Sequence, residues 1–125
     1  MKIALTSIFV HDPMKALKFY TEVLGFQEKL VMPEMNVVIV ASPEDLNGTG
    51  LLLEPNESEL AANYQKGLFE KGIPAIVFSV SNIAQEFEKL TAHGVVFRQK
   101  PVKTEAGTQA LFEDGCGNLI QLYQA

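Results

Sequence analysis

Residues 1–10 alternate apolar and polar positions well enough to predict a strand. At His11-Asp12-Pro13 the period changes to that of a helix, with Asp12 as N-cap and Pro13 at the first helical position, where its missing N–H costs nothing. Met14, Leu17, Phe19, Tyr20, Val23 and Leu24 supply a wide apolar helical face, and Gly25 is placed to end it in a left-handed cap. Three strand-like runs follow at residues 26–32, 36–42 and 50–55, separated by turns that hold Pro33-Glu34 and residues 43–48.

The same order then recurs. Residues 74–80 read as a strand, Asn82 with Gln85 resembles a capping box, and Ile83, Phe87 and Leu90 form an apolar stripe that His93-Gly94 closes. Strands are predicted at 95–103, 108–113 and 118–123, with Ala106-Gly107 and Gly115-Cys116-Gly117 as turns. Leu5 and Ala75, Val10 and Val80, and Asp12 and Asn82 are each 70 residues apart, so the offset holds from the strand into the helix start. The chain is therefore read as one α+β domain over 1–125, with βαβββ modules at 1–55 and 74–125 and a polar, helical connector at 56–73. A βαβββ module cannot bury both faces of its sheet alone, so the two are expected to pair into an open, cupped mixed sheet.

Composition narrows the function. At 125 residues the chain has room for one core. A net charge of −5 argues against nucleic acid, which requires a clustered basic surface. No apolar run reaches the length of a membrane span, and the opening residues, with Lys2 among them, do not read as a signal peptide. A single cysteine excludes an internal disulfide framework, and a cytoplasmic protein is expected.

Two stretches resemble the vicinal oxygen chelate superfamily, which includes glyoxalase I, extradiol dioxygenases, fosfomycin-modifying enzymes and bleomycin-binding resistance proteins. The first is Val10-His11-Asp12 followed by Phe19-Tyr20 and Leu24-Gly25-Phe26. The second is Phe112-Glu113-Asp114-Gly115-Cys116-Gly117-Asn118 with Ile120-Gln121-Leu122. The resemblance covers nearly the whole chain and implies the glyoxalase/bleomycin resistance-like fold, without fixing a reaction. It also implies where metal-dependent members would hold their ion: at Leu5 and Ala75 on the first strands, usually histidines, and at Glu54 and Gln121 on the last, usually glutamates. Leucine and alanine have no donor atom and an amide is a poor substitute for a carboxylate, so neither a metal nor any other cofactor is expected. His11 and His93 lie at helix ends, and Cys116 reads as a turn residue rather than a ligand or nucleophile.

With a strand period of two, Leu5 brings Ser7 and Phe9 to one face, Ala75 brings Val77 and Ser79, Glu54 brings Leu52, and Gln121 brings Leu119 and Tyr123. Ile8, Val10, Leu51, Leu53, Ile76, Phe78, Val80, Ile120 and Leu122 then face the helices and form the core. The first set is an apolar lining with a few polar groups, as a pocket for a small organic ligand requires. A buried Glu54 would need hydrogen-bond donors, for which Gln121 and Tyr123 are candidates. The leading expectation is a metal-independent binder of a small, largely apolar or aromatic compound, as in the bleomycin-resistance proteins. The alternatives are a glyoxalase-like lyase or isomerase with Glu54 as general base, and an interaction domain with a filled cup. Such proteins commonly pair subunits, and Leu60, Tyr64, Leu68 and Phe69 on the connector offer an apolar stripe for a homodimer.

Overall fold

The computed structural model describes residues 1–125, which form two compact units, Met1–Ala62 and Asn63–Ala125. In the first, β1 (Leu5–Val10) leads to α1 (Pro13–Lys18), and β2 (Gln27–Met32), β3 (Val37–Ala41) and β4 (Gly50–Pro55) complete a sheet of order β1-β4-β3-β2. β1 and β4 are parallel and the other pairs antiparallel. Helix α2 (Glu59–Glu70) carries the chain into the second unit. There β5 (Ile76–Ser79), α3 (Ile83–Ala92), β6 (Phe97–Thr104), β7 (Gly107–Glu113) and β8 (Leu119–Gln124) repeat the arrangement, with sheet order β5-β8-β7-β6. The strands differ from the sequence expectation only at their ends. Residues 1–4 lie outside β1, because its parallel register with β4 begins where Leu5 meets Gly50.

The caps hold as the repeat predicts. The Asp12 carboxylate accepts the Met14 and Lys15 backbone N–H groups at 3.0 and 3.4 Å, and Asn82 accepts that of Gln85 at 3.1 Å. The capping box, however, is not closed by the Gln85 side chain. The Ile83 N–H donates to the Gln124 side chain of β8 at 2.7 Å, so the last strand supplies one of the acceptors that the start of α3 needs. Gly25 and Gly94 are left-handed at φ 87° and 83°, and the His93 ring lies 2.8 Å from the Lys89 carbonyl at the end of α3. Helix α1 is shorter than its apolar stripe suggests, because Phe19–Val23 forms a π-helical turn. The Thr21 hydroxyl donates to the Leu17 carbonyl at 2.8 Å within it, a bond that competes with the regular helical ladder. That turn carries Tyr20, which is fully buried and meets the Phe19 ring edge-on at 5.6 Å.

In each sheet one set of alternate residues is buried against a helix. Ile8, Val10, Val38, Val40, Leu51 and Leu53 lie on that face in the first unit, and Ala110, Phe112, Ile120 and Leu122 in the second. Ile76, Phe78 and Val80, expected in the core, are half-buried. Met14 is 46% exposed, and Ala16 takes a buried place on α1 instead. β6 contains Pro101, tolerated because this is an edge strand whose register slips between Gln99 and Val102.

A buried polar network closes the β7–β8 turn. One Asp114 carboxylate oxygen accepts the backbone N–H groups of Cys116 and Asn118 at 2.7 and 3.0 Å, and the other accepts the Asn118 side-chain amide at 2.9 Å. The Gln65 amide of α2 donates to the Cys116 carbonyl at 3.1 Å and to the Asn118 side-chain oxygen at 3.3 Å. All three polar residues are buried. The acidic motif that resembles the family's closing signature is therefore a structural clasp, and Cys116 is a buried turn residue within it. A second tether holds α2: the Arg98 guanidinium lies 5.0 Å from the centre of the Phe69 ring and donates to Glu113 at 2.6 Å.

Asp114→Ala strands three donors at once and should cost at least about 2 kcal/mol. Asp12→Ala removes an exposed cap and should cost about 1 kcal/mol. Thermal or urea unfolding checks the order; equal losses would show that the clasp is not tightly coupled.

Candidate functional site

The faces of the two sheets that the helices leave uncovered hold the residues singled out in the sequence. In the first unit the register pairs Leu5 with Gly50, Ser7 with Leu52 and Phe9 with Glu54, which puts all six on one face. Ile39 joins them through its pairing with Leu52. A bulge at Lys29 shifts the β2 register, so that Leu30 pairs with Ile39 and Met32 with Val37 on this same face. Glycine at position 50 matters here. A Cβ there would lie 2.9 Å from an Ile39 methyl and 3.1 Å from a Leu5 methyl, so these two side chains close over it. Leu5 and Ser7 are exposed, while Phe9, Leu52 and Glu54 are half-buried.

Glu54 is therefore not the buried carboxylate the sequence implied. No lysine, arginine or histidine nitrogen comes within 4.0 Å of it. The expected donors each have a bond elsewhere. Gln121 donates its side-chain amide to Gln109 at 3.2 Å, and the Tyr123 hydroxyl donates to the Ala106 carbonyl at 2.5 Å. A Cβ on Gly107 would stand 2.8 Å from the Tyr123 ring, so that glycine is what lets the ring lie against the β6–β7 turn.

In the second unit Val77 pairs with Gln121 and Ser79 with Tyr123, and Leu111 and Gln109 continue the row on β7. Val77 and Ser79 are exposed, Gln121 and Tyr123 half-buried. Ala75 precedes β5, half-buried, with its N–H bonded to the Leu119 carbonyl at 2.8 Å. Leu119 is 1% exposed and so acts as core. The residues missing from the sequence reading are Leu30, Met32, Val37 and Ile39, together with Gln109 and Leu111. Residues 37–40 are apolar at every position, so their period carries no facing information, and the bulge at Lys29 is visible only in the pairing.

A divalent ion does not fit the inherited positions. Leu5 and Ala75 offer no donor atom, Glu54 offers one carboxylate, and Gln121 offers only an uncharged amide oxygen. No group of three or more His, Cys, Asp or Glu side chains is arranged to hold a metal. His11 is exposed beyond the end of β1, and His93 belongs to the end of α3. No helix is long and apolar enough to cross a membrane.

The chain resembles known proteins along its whole length. It is 48% identical over 126 residues to the uncharacterized protein YurT of Bacillus subtilis (strain 168), covering 99% of each. Among solved structures, UcmS2 superposes with a TM-score of 0.83 at 28% identity, over 100% of this chain and 98% of that one. TnmS3, an antibiotic binding protein from Streptomyces sp. CB03234, gives 0.78 at 25% identity, over 99% and 95%. The sequence model of the glyoxalase fold family matches residues 2–122. Its two four-stranded mixed sheets and helices agree with that match, and the chain belongs to the Glyoxalase/Bleomycin resistance protein/Dioxygenase superfamily.

Proposed function

We propose that this protein binds a small, largely apolar or aromatic organic compound on the uncovered faces of its sheets, without a metal or other cofactor. The observation that carries this reading is the make-up of those faces. Leu5, Phe9, Leu52 and Ile39 form an apolar surface around Ser7 and Glu54, and Val77 and Leu111 lie among Ser79, Gln109, Gln121 and Tyr123. An apolar surface with a few placed polar groups suits a small ligand. The structural relative TnmS3, an antibiotic binding protein, supports the same reading by similarity.

A glyoxalase-like proton abstraction by Glu54 is less well supported. Such a step needs donors to stabilise the developing oxyanion. In this chain the Tyr123 hydroxyl and the Gln121 amide already donate to Ala106 and Gln109. Binding without turnover asks for none of these groups to be released.

The working form is a homodimer in this proposal. On α2, Leu60 is 82% and Tyr64 60% exposed, while Gln65 on another side of the helix is buried in the clasp. Exposed apolar side chains on a helix whose opposite side is already docked suit a second copy of the chain.

Isothermal titration with 2-naphthylmethanol tests the binding reading. Saturable binding is expected, weakened at least about fivefold by Leu5→Ser, because replacing a half-exposed leucine removes apolar contact at little cost in stability. Heat that is linear with added compound, for this alcohol and for its amine and carboxylate analogues alike, would refute it. Adding zinc, nickel or manganese should leave the melting temperature unchanged, whereas a metal-dependent rise would restore the enzyme reading. Light scattering at micromolar concentration should return twice the chain mass; a monomer mass rejects the dimer.

A further inference from the structure

The uncovered face of the first unit holds a single carboxylate that forms no ion pair. Glu54 is half-buried on β4 and in register with Phe9 on β1. Neighbouring strands lie about 4.8 Å apart, so the carboxylate and the aromatic ring rise from adjacent points of one face. Leu52 precedes Glu54 by two residues on the same face, with Ile39 beside it on β3. No basic nitrogen comes within 4.0 Å of the carboxylate. The lysine of this sheet's bulge, Lys29, is directed to the Gly48 carbonyl at 3.3 Å.

This arrangement selects by charge. The half-buried carboxylate stands beside apolar side chains and accepts no hydrogen bond from the chain, and a ligand that covers it must replace the water it displaces. A cation restores that loss, a neutral hydroxyl restores part of it, and an anion makes it worse. An aromatic ring beside the carboxylate adds a second attraction for a cation. The net charge of −5 acts in the same sense at long range.

Building on the binding reading above, we propose that the ligand of this face is an amphiphilic cation: an amine, protonated at neutral pH, attached to an aromatic or aliphatic body. Its ammonium pairs with Glu54 beside the Phe9 ring, and its hydrocarbon body lies on Leu52 and Ile39. Glu54 thereby selects an organic cation.

Three compounds with one naphthalene body test this by isothermal titration of the full chain at pH 7: 2-naphthylmethylamine, 2-naphthylmethanol and 2-naphthoate. The amine should bind about tenfold more tightly than the alcohol, and the naphthoate more weakly than either. The amine's advantage should shrink as salt is raised, since the carboxylate is only half-buried. In Glu54→Gln the amine-to-alcohol affinity ratio should fall to near one, while Glu54→Asp should retain a preference for the amine. An alcohol that binds the wild-type chain as tightly as the amine overturns the proposal and leaves the binding reading intact. So does an amine preference that survives in Glu54→Gln. If none of the three compounds binds, the binding reading falls and this inference with it.

Discussion

A four-stranded sheet backed by a single helix can bury only one of its faces, and everything else in this protein follows from that one-sidedness. In the first unit α1 packs on β3 and β4, and in the second α3 packs on β6, β7 and β8. The covered faces are aliphatic and aromatic without exception at their buried positions, from Val10 and Leu53 to Phe112 and Ile120. The other faces keep apolar residues too, but interrupt them with Ser7, Glu54, Ser79, Gln109, Gln121 and Tyr123. The same pattern repeated 70 residues apart means the constraint was met twice with different side chains.

The polar groups of the fold divide into those that hold it and those left available. Asp114, Asn118 and Gln65 are buried and mutually bonded, and their cost of burial is offset by a complete set of partners. No buried side-chain nitrogen or oxygen in the chain lacks a partner. Tyr123 and Gln121 are half-committed, each with one bond that fixes its direction. Glu54 stands apart as a carboxylate whose orientation the chain does not fix by any such bond.

Much of this was legible in the sequence because the signals were local. Asp12 and Asn82 announce their caps, Gly25 and Gly94 end their helices, and the alternation in residues 5–10 assigns Ile8 and Val10 to the core and Leu5, Ser7 and Phe9 to the other face. What escaped depended on distant partners. Gln85 suggested a reciprocal box with Asn82, and nothing local pointed to Gln124, 41 residues away, as the acceptor for the next N–H, that of Ile83. The residues 37–40 are uniformly apolar, so only their register with β2 and β4 tells Ile39 from Val40. The burial of Leu119 and the half-exposure of Glu54 could not be read from a period of two, which gives facing but not depth. The exposed side of α2 is a further case: Leu60, Tyr64, Leu68 and Phe69 suggested one stripe, but Phe69 docks under Arg98, beside Gln65 in the clasp.

The uncovered face of the first sheet is proposed to be a ligand surface and not merely sheet left bare. Backbone amide chemical shifts of the isotopically labelled chain, followed while 2-naphthylmethylamine is added, test it most directly. Saturable shifts are expected at β1, β3 and β4, around Ser7, Phe9, Ile39, Leu52 and Glu54, with the β7–β8 clasp at Asp114 and Asn118 unmoved. Shifts scattered over the surface, or concentrated on the helices, would contradict it.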